Sequence, residues 1–183
     1  MNKAIFLDRD GTLNPDPGYI SDPKDYELFD GVCEALLKLQ KAGYMLILIT
    51  NQSGISRGLI TEEQLESVHN KMKKLLKAGG VTLDAIYYCP HHPDHPYKGI
   101  AECNCRKPKP GLILQALKDH NIDKSLSYMI GDRTSDIKIG LAADVAPVCI
   151  AKKPFEEYEN IPTFSNLSLA ADWILKQSSE LRA

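Results

Sequence analysis

Two aspartates, Asp8 and Asp10, close the apolar run Ala4-Ile5-Phe6-Leu7, with Arg9 between them and Gly11 just after. Side chains on a strand repeat every two residues, so strand geometry carried through this point would aim both carboxylates the same way. Adjacent carboxylates repel, and one takes up a proton unless a cation lies between them. The pair suggests a metal site or a proton-transfer pair, with Gly11 letting the backbone approach a ligand and Thr12 offering a hydroxyl. A solvated turn or a helix cap would also account for a lone D-x-D. Further pieces of the chain argue for chemistry. "LILITN" ends in Thr50 and Asn51, "RKPKPG" supplies Lys107 ahead of a helix, and "YMIGDRTSD" carries Asp132 with Asp136 four residues on.

A second constellation lies in "CPHHPDHPYKGIAECNC", where Cys89, His91, Cys103 and Cys105 form C-x-H-x11-C-x-C. Three thiolates and an imidazole suit tetrahedral Zn²⁺, and a closed set of protein ligands marks a structural ion rather than a catalytic one. His92 and His95 are alternative fourth ligands; free thiols and solvated histidines are the plain alternative to any metal. A long loop with Pro90, Pro93 and Pro96 and no apolar core needs a staple. Arg106 and Lys107 follow Cys105 directly, so a metal-fixed loop would also hold these cations. Cys33 and Cys149 fall in apolar patterns and are expected in the core. His69 and His120 fall on helical segments and are expected to face solvent.

The elements that must position these groups alternate along the chain. "AIFLD", "MLILIT", "AIYYC", "SYMIGD" and "PVCIA" read as strands, the second apolar on both faces like a central parallel strand. Between them, "GVCEALLKLQKAGY" places Val32, Leu36, Leu37 and Leu39 on one side and ends at Gly43. Thr61 to Gln64 forms a capping box, followed by the stripe Leu65, Val68, Met72, Leu75 and Leu76 up to Gly79-Gly80. Pro110 suits the first turn of a helix bearing Leu112, Ile113, Ala116 and Leu117. "DIKIGLAA" and "LSLAADWILKQ" complete the set, with Trp173 expected in the core. This alternation predicts an α/β fold: a three-layer, Rossmann-like parallel sheet with helices on both faces. Ligands of such sheets bind at the carboxyl ends of the strands, where Asp8, Thr50, Cys89 and Asp132 would all gather.

The chain of 183 residues fits one domain, residues 1–183, with the loop 89–107 as its zinc-bearing part. Net charge is −2 and the basic residues are dispersed, which excludes the clustered footprint of a nucleic-acid binder. No apolar run reaches the roughly 18 residues of a membrane span. The sequence starts on a strand pattern without the features of a signal peptide, so a cytoplasmic protein is expected, and a monomer. Five cysteines, an odd number, argue against a disulfide framework in a reducing compartment.

Strand-D-x-D-G-T, strand-T-N, K-P-x-P before a helix and strand-G-D-x-x-x-D occur in the order of the motifs of the haloacid dehalogenase superfamily. The chain resembles that superfamily over nearly its whole length, and the second Asp of D-x-D resembles its phosphatases. The resemblance implies that Asp8 is a nucleophile forming an aspartyl-phosphate and that Asp10 is the acid and base. It implies catalytic Mg²⁺ on Asp8, the Asp10 carbonyl and Asp132, with Thr50 and Lys107 offsetting phosphoryl charge. Asp136 has three candidate roles: a metal ligand through water, orientation of Lys107, or a helix cap.

The zinc loop resembles two groups, heptose bisphosphate phosphatases and histidinol-phosphate phosphatases. "FLDRDGTLN", "GYI", "TNQSGISRG", "CPHHP" and "CNCRKPKPG" resemble the heptose group. That resemblance implies a small-molecule sugar bisphosphate contacted by Asp16, Pro17, Gly18, Tyr19, Thr50, Asn51, Gln52, Ser53, Arg106 and Arg133. Asn51 is alternatively a turn former. Arg57 joins the candidates on charge and position alone, with a solvated surface Arg as its alternative. Neither irregular stretch, 14–30 or 89–110, has the length of a cap domain, so the site should be open. The rival from another class is a non-catalytic binding module that docks through the zinc loop; phosphate release from a sugar phosphate separates the two.

Overall fold

The computed structural model describes residues 1–180. Strands β1 (Lys3–Leu7), β2 (Tyr44–Asn51), β3 (Ala85–Cys89), β4 (Tyr128–Gly131), β5 (Ala146–Ile150) and β6 (Thr163–Phe164) form one parallel sheet in the order β3-β2-β1-β4-β5-β6. Helices α1 (Val32–Lys41), α2 (Glu62–Ala78), α3 (Gly111–Asp119), α4 (Thr134–Ala142) and α5 (Leu167–Glu180) complete it.

Alternation along each strand splits the core into two layers. Ile5, Leu7, Leu46, Leu48 and Ile130 face one side, against Leu36 of α1, Met72 of α2 and Ala170 of α5. Ala4, Phe6, Ile47, Ile49 and Met129 face the other, against Ile113 of α3 and Ile139 of α4. Burial on both faces explains why these strands are apolar throughout. The expected three layers are therefore present.

Chain order also fixes where a ligand can enter. The chain winds from β1 outward to β2 and β3, then returns to place β4 on the other flank of β1. Beside β1 the winding reverses, and the crevice at the carboxyl ends is widest at such a point.

Some side chains lie elsewhere than the sequence suggests. His69 is buried rather than solvent-facing, because it falls within the stripe Leu65, Val68, Met72 and Leu76, and its ring meets Tyr88 edge-on. Burial pushes its imidazole down to about 3, so it packs as a neutral ring. His120 ends α3 half-buried, with Nε2 3.2 Å from the Tyr87 hydroxyl. Trp173 and Cys33 are at the core margin rather than inside it; Trp173 packs between Tyr128 and Phe164. Cys149 is buried as expected, and the capping box at Thr61 and Gln64 forms. Strand β6 has two residues, too short for any periodicity to announce it. Among the described residues, no helix is long and apolar enough to cross a membrane.

Candidate active site and metal clusters

Asp8 is the first residue past β1, and its N–H still donates to the Ile130 carbonyl of β4 at 2.9 Å. The chain then turns sharply. The Arg9 carbonyl accepts from the N–H groups of Thr12, Leu13 and Asn14. That turn parts the two aspartates, so Asp10 is not the carboxylate clustered with Asp8. Asp8 groups instead with Asp132 and Asp136, their oxygens lying within 4.8 Å of one another.

Two glycines make room for this crowding. A Cβ on Gly11, whose φ is +84°, would lie 2.2 Å from Asp132 Oδ2. A Cβ on Gly131 would lie 2.3 Å from Asp136 Cγ. The glycine beside each motif aspartate is thus the space that another carboxylate occupies, distant in sequence for Gly11 and five residues on for Gly131.

Lys107 lies at the centre. Its ammonium donates to Asp136 Oδ1 at 2.6 Å and the Ile49 carbonyl at 3.1 Å, and stands 2.8 Å from Asp8 Oδ1. Burial alone would pull this ammonium down, but Asp136 and Asp8 outweigh it and hold it above its ordinary value. Asn51 pins the same residue by its backbone: its amide accepts from the Lys107 N–H at 3.0 Å and donates to the Lys107 carbonyl at 3.2 Å. Asp136 both orients Lys107 and caps α4, since its second oxygen accepts from the Arg133 N–H at 3.0 Å. Two of its three candidate roles are therefore filled by one carboxylate.

Burial lifts Asp8 to about 7 against the pull of Lys107, with Asp136 and Asp132 adding like-charge repulsion. Burial and Asp136 lift Asp132 to about 6. Hard oxygen donors crowded until they retain protons fit a small divalent cation such as Mg²⁺.

A cavity of about 250 Å³ opens at Asp8, and Asp8, Asp10, Thr50, Lys107, Arg106 and Arg133 line it, whereas Asp132 and Asp136 do not. Asp16, Gly18, Tyr19, Asn51, Gln52 and Ser53 complete the expected lining, and Ser135 joins it unforeseen. Pro17 and Arg57 do not line it. Arg57 reaches instead to His92, Nη2 to Nε2 at 2.8 Å. Arg133 pairs with Asp16 across the mouth. No sequence signal had singled out Asn14 or assigned a role to Arg9. Both grip the Asp10 carboxylate, together with Gln52. Adjacency of Arg9 and Asp10 was visible, but only the turn brings Gln52 to them.

The Cys-His constellation also assembles. Cys89 Sγ lies 3.6 Å from Cys103 Sγ, 3.0 Å from Cys105 Sγ and 3.6 Å from His91 Nδ1, and His91 Nδ1 lies 3.3 Å from Cys105 Sγ. A tetrahedron with arms of about 2.3 Å has edges of about 3.8 Å, so the donor set suits Zn²⁺, and these separations are far beyond a disulfide bond. His91, rather than His92 or His95, belongs to the cluster. The Arg106 guanidinium donates to the His91 carbonyl at 3.0 Å, which ties the cluster to the cavity wall. The loop has a second anchor: the Tyr97 hydroxyl donates to Glu62 of α2 at 2.7 Å, and its ring packs on Ile55, Ile60 and Leu65.

The chain matches the model of the polynucleotide kinase 3 phosphatase family over residues 3–158. It is 44% identical, over 97% of its length and 92% of the relative's, to the D-glycero-β-D-manno-heptose-1,7-bisphosphate 7-phosphatase of Yersinia pestis. The Haemophilus influenzae enzyme of the same name is 50% identical over 79% of each chain. Among solved structures, the D,D-heptose 1,7-bisphosphate phosphatase of B. bronchiseptica, complexed with magnesium and phosphate, superposes with a TM-score of 0.82 at 30% identity, covering 96% of this chain and 99% of that one. With its parallel sheet, its aspartate cluster and relatives this similar over nearly their full length, the chain belongs to the heptose 1,7-bisphosphate 7-phosphatase family of haloacid dehalogenase-like phosphatases.

Proposed function

We propose that this protein removes the 7-phosphate of D-glycero-D-manno-heptose 1,7-bisphosphate, with a preference for the β anomer, as its relatives' names imply. One observation carries the reading. A single cavity joins Asp8, Asp10, Thr50 and the buried Lys107 to a second group of cations, Arg106 and Arg133. A substrate with two phosphates needs two such places.

Asp8 attacks phosphorus, and its oxygen forms a bond to phosphorus as the bond to the sugar oxygen breaks. Asp10 gives a proton to that departing oxygen. It then takes a proton from water, whose oxygen displaces Asp8 from phosphorus. Lys107 and Thr50 face the charge that spreads over the transferring group. Asp8, the Asp10 carbonyl and Asp132 would hold Mg²⁺, which supplies further charge neutralisation when bound. Arg106 and Arg133 take the second phosphate, Arg133 by exchanging its pairing with Asp16 for the substrate anion. The stretch Asp16 to Tyr19 with Asn51, Gln52 and Ser53 forms the sugar-facing wall. Zn²⁺ on Cys89, His91, Cys103 and Cys105 is structural and steadies Arg106 and Lys107. We take the chain to be one domain, monomeric and cytoplasmic, where free thiols persist.

The test is phosphate release from both anomers of the heptose bisphosphate and from histidinol phosphate, with Mg²⁺. The β anomer should give the highest kcat/KM. Faster release from histidinol phosphate would transfer the protein to the sister activity. No release from any of them would favour the non-catalytic binding module.

A further inference from the structure

The carboxylate of Asp10 is held by four donors from three side chains. Arg9 Nε and Asn14 Nδ2 donate to Oδ1 at 3.0 and 2.9 Å, and Arg9 Nη2 and Gln52 Nε2 donate to Oδ2 at 2.9 and 3.0 Å. Neighbours in sequence rarely form a two-pronged pair, because an extended backbone sends them to opposite faces. The turn whose hub is the Arg9 carbonyl permits it here. Gln52 closes a ring, since its Oε1 accepts from Arg9 Nη2 at 3.2 Å and its Nε2 also reaches Thr50 Oγ1 at 3.0 Å.

Arg9 is 1% exposed, the largest fully buried side chain of the molecule's described residues. Burying a guanidinium is costly, and an apolar residue of similar volume would serve packing as well or better. Its fork grips the one cavity-lining carboxylate outside the metal cluster that Arg133 does not already pair. Resting on the reading of Asp10 as acid and base, we propose that Arg9 is a positioning residue, which fixes the Asp10 carboxylate at the distance and angle needed to protonate the departing sugar oxygen. A proton donor must stand within hydrogen-bond reach of its target, and its contribution of about 10² to 10⁴ in rate is lost when it swings away. Each oxygen accepts two N–H groups, so the proton that Asp10 delivers can sit there only in place of an outer contact: Gln52 Nε2, which also reaches Thr50 Oγ1, releases Oδ2, while the Arg9 fork keeps the plane of the carboxyl group.

The experiment compares leaving groups in Arg9→Met and Arg9→Lys. A sugar oxygen departs only with a proton; p-nitrophenolate departs without one. The ratio kcat/KM reports steps up to that departure and is blind to later hydrolysis of the phosphoenzyme. In Arg9→Met, kcat/KM on the heptose bisphosphate should fall about 100-fold and on p-nitrophenyl phosphate less than threefold. Arg9→Lys keeps the buried charge but not the fork, and should show the same selectivity at about 10-fold, which decides the matter should the Met variant fail to fold. Equal losses on both substrates, or no loss on either, would overturn the positioning role. Asp10→Asn is the control. If it loses equally on both substrates, the acid role of Asp10 fails; if it is selective and the Arg9 variants are not, only the role of Arg9 fails.

Discussion

Asp8, the nucleophile of the proposed mechanism, is 6% exposed and stands 2.8 Å from the Lys107 ammonium. Asp8→Asn should retain the fold and abolish turnover, checked by circular dichroism and phosphate release; activity near the parent level would dismiss the nucleophile role. The raised carboxyls have a second consequence. Metal-free protein holds protons on Asp8 up to about 7 and on Asp132 up to about 6, whereas unfolded chain releases them near 3.8. The folded state then binds more protons than the unfolded one between these values, so metal-free stability falls as pH rises from about 4 to about 7. Mg²⁺ must displace those protons, so its affinity should rise across the same window. Titration calorimetry at pH 5.5 and 7.5 checks this; an affinity independent of pH would contradict it.

At the scale of elements, the end of β1 makes room for the end of β4, and the end of β4 makes room for the start of α4. Gly11 leaves the space that Asp132 fills, and Gly131 the space that Asp136 fills. Gly11→Ala puts a Cβ into a left-handed residue, at a cost of about 1–2 kcal/mol, and displaces a carboxylate besides. It should lower thermal stability modestly and weaken Mg²⁺ binding at least 10-fold, read by calorimetry; parent-like metal affinity would show that Asp132 does not need that space. The contrast with α2 is instructive. Its capping box was legible because Thr61 and Gln64 are local, three residues apart. Gly11 and Asp132 are neighbours only in the folded sheet, and nothing local in either motif reports the other.

Over the whole molecule, the loop that carries the Cys-His cluster joins the sheet's outer strand to the cavity. Cys89 ends β3, Cys105 precedes Arg106 and Lys107, and Tyr97 anchors the intervening limb on α2. Removing the metal with a chelator should raise hydrogen exchange across residues 89–107, least around Tyr97, whose bond to Glu62 and apolar packing do not use the metal. KM should rise as Arg106 loosens. Elemental analysis should find about one Zn²⁺ per chain before treatment; unchanged kinetics in zinc-free protein would remove the link between the loop and the cavity.

The alternation of strands and helices, the D-x-D motif, Lys107, Asp132 and the four zinc-type ligands are all written in the chain, because each depends on residue type and local spacing. Periodicity is a local property, and so is a motif. His69 shows where that ends: a polar residue on an apolar stripe is buried or not according to what packs over it, here Tyr88. The two jobs of Asp136, the diversion of Arg57 to His92, the grip of Arg9 and Gln52 on Asp10, and the shift of like-charge crowding from Asp10 to Asp132 were decided only by tertiary structure. Apart from the local bonds of Arg9 to Asp10 and of Arg133 to Asp136, these are contacts between chain segments that only the folded sheet brings together, and a hydrogen bond of about 3 Å across them follows from packing, not from spacing in sequence.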